Sequence, residues 1–204
     1  MIFALPLLAS CEKAEEPIIL PAPGNLQTMA ASMGLNYDNQ VYVDFKTGNQ
    51  KSVPYRSYDL AFEASSNGFR IYLNTGKFMF VALTGDTNMV AADSTGKEWR
   101  TETDQLYDDS TAFGDYRDAS VISKGETYII DRGRTEHFGS ARWRKFKVVE
   151  VTSNQYTIRF SNYNNTSVTD LIIPKYPEYA LMYFTFDNGG AMVDVAPKKP
   201  DWDV

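Results

Sequence analysis

The sequence predicts an all-β domain in which antiparallel strands form two packed sheets. From Tyr37 onward, short segments alternate apolar and polar residues, which is the pattern of a half-buried strand. Aromatic residues make up 14% of the chain, and their rings pack well on a pleated surface. Turn sequences with Gly, Asn and Asp separate the segments, and we find no convincing amphipathic pattern for a helix longer than two turns.

The single cysteine, Cys11, predicts how the N-terminal part of the chain is used. It follows an apolar run at residues 2–8, and Leu-Ala-Ser-Cys resembles a bacterial lipobox, in which the cysteine left after cleavage carries lipid. We therefore expect a signal peptide at 1–10, a lipid-anchored tether at 11–36 and the β domain at 37–204. A buried free thiol is the alternative.

Both ends of the chain show signs of truncation. No Lys or Arg precedes the apolar run, so the basic segment of a signal peptide is missing, and either the start is late or the run is degraded. At the other end, DWDV at 201–204 echoes SYDL at 57–60, which opens a strand. The echo favours a C-terminus cut short within a strand, because natural proteins cover such edges; coincidence is the alternative.

The first strands follow the tether. VYVDF at 41–45 alternates and ends in the turn KTGNQ. The next segments are YDLAFEAS at 58–65, FRIYLN at 69–74 and KFMFVALTG at 77–85. Short Gly-containing connections separate these three segments, which predicts a meander of hairpins with the third strand central in its sheet.

Residues 86–120 lack this periodicity and predict a long loop or a region of short helices, a feature that is often functional in a compact domain. Strands resume after it, and about ten strands are expected in all. The later segments are 126–131, 144–151, 156–161, 169–175, 179–186 and 191–196. A polar, Gly-containing loop, RGRTEHFGSAR, separates the first two of them.

Composition excludes several functions. The net charge is −6 and no basic tract is present, so the chain lacks the positive surface that nucleic-acid binding needs. With one histidine and no nucleophile motif, we expect no enzyme activity. Beyond the N-terminal run, no segment approaches a membrane span, so only the lipid on Cys11 would reach a membrane.

Several segments together resemble the HmuY-type proteins, haem-binding lipoproteins of Bacteroidetes. They are SYDLAFEASSNGFRIYLNTGKFMFVALTG, then TYIIDRG, then RKFKVVEVTSNQYTIRFSN, and the closing PKKPDWDV. The similarity covers residues 40–204 and rests on the order and spacing of these segments. It implies an all-β fold, a lipid anchor in the outer membrane at the cell surface or on the periplasmic face, and non-enzymatic capture of haem from a host haem-carrier protein for an outer-membrane receptor.

Haem requires axial ligands, and His137 is the only histidine available. Its loop also holds Phe138 and Trp143, which could stack on a porphyrin. Four arginines that could pair with propionates lie in or beside the loop: Arg132, Arg134, Arg142 and Arg144. We predict His137 as a ligand, with Arg134 and Arg142 as part of the haem site.

Met89, in the long loop, is the best candidate for the second ligand, although core packing is the alternative. A protein of the same fold that binds glycans or other proteins without haem is the second functional hypothesis. For that function, exposed aromatic residues in the long loop would form the platform: Tyr107, Phe113 and Tyr116.

Overall fold

The computed structural model describes residues 28–102, 111–118, 122–134, 137 and 139–203. The elements below all lie in the compact unit Ala31–Val204. A second unit, Met1–Ala30, lies almost wholly outside the described residues, as do Cys11 and the predicted signal peptide.

Within the described ranges the structure is β strands joined by turns and loops. The strands are β1 (Asn39–Val43), β2 (Gln50–Pro54), β3 (Leu60–Glu63), β4 (Ile71–Leu73), β5 (Phe80–Leu83), β6 (Trp99–Arg100), β7 (Thr127–Asp131), β8 (Trp143–Val151), β9 (Gln155–Asn162), β10 (Thr169–Pro174), β11 (Leu181–Thr185) and β12 (Ala191–Val193). Short 3-10 helices lie at Thr75–Lys77, Gly139–Arg142, Asp187–Gly189 and Lys199–Asp201. In this part of the chain, no helix is both long and apolar enough to span a membrane.

All strand pairs are antiparallel, and the predicted all-β class is confirmed. The large sheet has the order β10-β9-β8-β7-β5-β6, and the small sheet has the order β12-β11-β3-β4. A separate hairpin consists of β1 and β2.

The main core lies between the large and small sheets. Leu60 and Phe62 of β3 share it with Phe146 of β8 and Ile158 of β9, and all four are fully buried. Alternate residues of a strand point to opposite faces, so this spacing directs the apolar side chains of each strand toward the other sheet.

The outer face of the small sheet is also covered. Ala61 and Tyr183 are buried there in a second cluster with Val53 of β2. Because both faces of β3 are buried, its sequence LAFE is almost continuously apolar. The strand β2 was missed from the sequence, since Lys51, Ser52 and Pro54 give it no apolar alternation.

The predicted meander of 58–65, 69–74 and 77–85 is wrong in its second connection. β3 and β4 pair as a hairpin in the small sheet. The next strand, β5, instead pairs with β7 and β6 in the large sheet. The chain crosses between the sheets through the 3-10 helix Thr75–Lys77 and Phe78, whose φ of 54° redirects the backbone. Alternation of apolar and polar residues predicts a strand, but it does not predict which other strand it pairs with.

The predicted long loop at 86–120 includes the short strand β6, and its described parts have structural roles. Residues 86–98 are held to the large sheet by Lys145 and Lys147, whose ammonium groups donate to the carbonyls of Met89, Val90 and Thr87. Residues 111–118 supply the core with buried rings instead, and the Tyr116 hydroxyl donates to the Phe69 carbonyl at 2.7 Å. The loop therefore closes one side of the sandwich.

Candidate binding groove

The loop that carries the predicted site joins β7 to β8, whose paired ends are Asp131 and Trp143. At its start the chain needs a glycine. Gly133 has a φ of +89°, and a Cβ atom there would lie 1.8 Å from the Lys77 carbonyl oxygen. The loop therefore packs directly on the crossover between the two sheets.

A buried ion cluster fixes the loop from below. Asp59 is fully buried and accepts hydrogen bonds from Lys77 Nζ at 3.0 Å and Arg132 Nη2 at 2.8 Å. Arg132 Nη2 also donates to Asp187 Oδ1 at 2.8 Å. The Asp59 carboxylate further accepts bonds from Thr185 Oγ1 and the Phe186 amide. Each buried charge in this cluster thus has a partner.

The charges of the cluster hold Asp59 ionised. Burial alone would raise the pKa of Asp59, but the opposite charges of Arg132 and Lys77 outweigh it and lower the pKa below its usual value. Burial would lower the pKa of Arg132, and Asp59 raises it above its usual value. Arg132 was predicted as a propionate partner, and the structure overturns this because its guanidinium is 1% exposed and engaged by Asp59 and Asp187.

A groove of about 560 Å³ opens beside the loop, and we call it the aromatic groove. Its described lining consists of Phe78, Phe80, Trp99, Asp131, Arg134, Arg142 and Trp143. The centroids of the Trp99 and Trp143 rings lie 5.6 Å apart, with an angle of 60° between the ring planes. Phe78 and Phe80 are 66% and 40% exposed, and aromatic rings left open to solvent in this way are available to a ligand.

Two arginines frame the groove, Arg134 and Arg142, and both are residues that the sequence assigns to a haem site. Arg142 forms a bidentate pair with Asp131, and this hydrogen bonding raises the pKa of Arg142. Its guanidinium also lies 4.6 Å from the centre of the Trp143 ring. Arg134 is exposed, and no hydrogen bond joins it to any residue in the described ranges.

His137 is half-buried and is not among the described residues that line the groove. Burial, followed by the positive charge of Arg132, lowers the pKa of His137, which favours the neutral imidazole that can bind a metal. Its Nε2 atom is buried, and no described residue offers it a hydrogen bond. Phe138, the predicted stacking residue, lies outside the described residues.

Met89 is half-buried in the loop over the large sheet and is likewise not part of the described groove lining. Its carbonyl accepts a hydrogen bond from Lys145 Nζ at 2.8 Å. The structure thus brings Arg134 and Arg142 together at the groove and leaves Met89 elsewhere.

The aromatic platform predicted in the long loop is wrong for two of its members. Phe113 and Tyr116 are 1% and 2% exposed, because they fill the core between the sheets; Tyr107 lies outside the described residues. The exposed aromatic wall is formed instead by Phe78, Phe80 and Trp99, which sequence reasoning missed. Phe78 and Phe80 are two residues apart in an otherwise buried segment, FMFVAL, and this spacing was the available signal.

Among the residues the structure describes, no group of three or more His, Cys, Asp or Glu side chains is placed to hold a metal ion. No family model, no curated protein and no solved structure matches this chain.

Proposed function

We propose that the protein binds haem without catalysing a reaction, and that the aromatic groove receives the porphyrin. The observation that carries the proposal is an exposed aromatic wall framed by two arginines in one groove of about 560 Å³. Binding pockets combine apolar walls with a few polar groups that orient the ligand. Haem is the class of ligand to which the resemblance of the sequence also points.

The groove suits a flat, amphipathic molecule. Trp99 and the half-buried Trp143 offer indole surfaces, and Phe78 adds an exposed ring. Aromatic contacts of this kind each contribute about 0.5–1.5 kcal/mol beyond the area they bury. Arg134, with no partner among the described residues, would pair with a carboxylate such as a propionate.

For the iron, the proposal assigns His137 as axial ligand. Its lowered pKa and the lack of a described partner for Nε2 support this role. The described groove lining itself contains no His, Met, Cys or Tyr. The lining therefore fits the porphyrin ring and its propionates better than it fits the iron. Met89 stays a prediction from the sequence alone.

The proposed cellular setting follows from Cys11. Lipid on this cysteine would anchor the domain to the outer membrane, and the tether at residues 11–36 would let the domain extend away from the membrane surface. A host haem-carrier protein as donor and an outer-membrane receptor as acceptor complete the proposal.

Hemin titration of the full chain carrying Cys11→Ser tests the proposal. We expect a sharp Soret band with saturable binding at one site per chain. Trp143→Ala should weaken hemin binding about tenfold, and His137→Ala should change the Soret band. Tyr163→Ala, which removes an exposed aromatic residue outside the groove lining, is the matched control. A broad band of free hemin with the parent chain would refute haem binding.

A saccharide is the second candidate ligand for the same groove. The specific observation in its favour is that the described lining holds aromatic rings and an Arg142–Asp131 pair but no His, Met, Cys or Tyr, the axial ligands of haem iron. Retention of the chain on polysaccharide gels, lost in Trp143→Ala and accompanied by the free-hemin spectrum, would support this alternative.

A further inference from the structure

A second cavity, which we call the polar pocket, shares no described residue with the aromatic groove. It has a volume of about 200 Å³. Arg144 of β8 and Phe160 of β9 form one side, and Ser167 lies in the loop after β9. Asp187 and Asn188, in the turn after β11, form the other side. Arg144 and Trp143 are neighbours in β8 and therefore point to opposite faces of the large sheet.

The described lining of the polar pocket holds one cation, Arg144, and one anion, Asp187. Arg144 is half-buried, and its hydrogen bonds with described residues all run from Nη1 to backbone carbonyls, at 2.9–3.2 Å. No described carboxylate forms an ion pair with it. Asp187 lines the pocket, but its oxygens already accept hydrogen bonds from Arg132 and Thr185.

Burial, followed by the positive charge of Arg132, lowers the pKa of Arg144, while the negative charges of Asp59 and Asp187 oppose this shift. A guanidinium nevertheless keeps its charge in proteins. Arg144 therefore presents Nε and Nη2 donors that no described acceptor uses.

Two further polar side chains in the pocket have no hydrogen-bond partner in the described ranges, those of Ser167 and Asn188. Both residues have a left-handed backbone, with φ of 55° and 54°. Both side chains are exposed in turns and are therefore open to a ligand as well as to water. The side-chain hydroxyl and amide are the short-range donors that recognise a polar ligand.

We propose that the polar pocket binds a carboxylate carried by a small hydroxylated molecule, with an acidic sugar as the ligand class. Arg144 pairs with the carboxylate, and Ser167 and Asn188 bind the hydroxyl groups. Phe160 and Phe186 also line the pocket, but they are only 3% and 2% exposed, so polar groups carry the recognition. The volume suits a single ring, at less than half the volume of the aromatic groove.

Nuclear magnetic resonance titration of the full chain with Cys11→Ser tests this proposal with sodium glucuronate, glucose and sodium acetate as probes. We expect glucuronate to bind at least about tenfold more tightly than glucose, with the largest shifts at Arg144 Nε–H and the Asn188 amide. Arg144→Gln should lower glucuronate affinity at least about tenfold. Arg159→Gln, which removes an exposed arginine outside the pocket, should leave the affinity unchanged.

The acetate arm separates two sources of the carboxylate. Acetate binding as tight as glucuronate binding would overturn the sugar part of the proposal and identify a free small carboxylate. Weaker acetate binding supports the acidic sugar. We do not expect hemin to compete with glucuronate for the polar pocket. If the protein fails to bind haem, the glucuronate result therefore remains a valid test of this pocket.

Asn188→Gly keeps the test valid if Arg144→Gln does not fold. Glycine adopts the φ of 54° without strain, so this variant should retain the thermal midpoint and bind glucuronate about threefold to tenfold more weakly. Equal affinity for glucuronate and glucose, unchanged binding in Arg144→Gln and Asn188→Gly, or the absence of any shift would each overturn the proposal.

Discussion

Arg132 and Asp59 form a buried bidentate ion pair between segments 73 residues apart, with Nε at 3.1 Å from Oδ1 and Nη2 at 2.8 Å from Oδ2. Asp59 precedes β3 in the small sheet, and Arg132 follows β7 in the large sheet. The pair therefore ties the two sheets together directly beneath the loop that carries Arg134 and Arg142. The position of the candidate groove depends on this contact.

Removing the charge of Asp59 should destabilise the protein strongly. Asp59→Asn leaves Arg132 and Lys77 buried without their anion, and we expect a loss of about 3–5 kcal/mol in the free energy of unfolding. Urea denaturation measures this loss. Asp170→Asn breaks the exposed pair with Arg159 and should cost less than about 1 kcal/mol. Equal losses in the two variants would show that the buried cluster is not a stabilising anchor.

Stability should fall in acid because the folded state lowers the pKa of Asp59 from its usual 3.8. The contribution of such a group is complete above the pKa of the unfolded chain, near 4, and is lost as the pH falls through the folded value. We expect the free energy of unfolding to drop below about pH 4, with a shallower drop in Asp59→Asn. Parallel curves for parent and variant, from urea denaturation at a series of pH values, would contradict this origin.

Gly133 should not tolerate a side chain. In Gly133→Ala the new Cβ would meet the Lys77 carbonyl oxygen at 1.8 Å, at a φ of +89°, and we expect a loss of at least about 3 kcal/mol. Gly139→Ala provides the control, since its φ is +57° and nothing lies within 4 Å of the added atom; it should cost only about 1–2 kcal/mol. Thermal and urea denaturation give both values, and similar losses would argue against a close approach at Gly133.

Phe78 combines a left-handed backbone, φ 54°, with 66% exposure in the groove. Phe78→Gly should leave the free energy of unfolding within about 1 kcal/mol of the parent, because relief of the left-handed backbone strain offsets the entropy cost of ordering a glycine. Hemin affinity should fall about tenfold. Tyr37→Gly, at φ 57° and outside the groove lining, should keep the affinity of the parent. Unchanged hemin binding in Phe78→Gly would remove Phe78 from the site.

His137 should make stability depend on pH near neutrality. Burial and Arg132 lower its pKa from 6.5, so the unfolded chain binds a proton in a range where the folded chain does not. Stability should therefore decrease as the pH falls from about 7 through 6.5 toward the folded pKa, and then level off. His137→Gln should abolish this slope in urea denaturation between about pH 5 and 8. The chain has one histidine, so a slope that persists in the variant would show that a group other than a histidine causes it.

The sequence alone predicted most of the strands and the loop that carries two of the groove arginines. The alternation of YDLAFEAS places Leu60 and Phe62 on one face of the strand, because side-chain direction in a strand follows local geometry, and both side chains are buried in the main core. The loop between β7 and β8 was also identified, and two of its predicted arginines do line the groove. These features depend on residues close together in the chain.

What the sequence by itself determined is therefore the all-β class, most of the strand segments and the polar loop that carries Arg134, His137 and Arg142. Only the tertiary structure decided which sheet each strand joins, that Asp59 and Arg132 are buried together, and that Phe113 is core while Trp99 is exposed. Strand partners and burial depend on contacts between distant segments. Local patterns carry no information about those contacts, so the walls of the groove emerge only when the sheets pack.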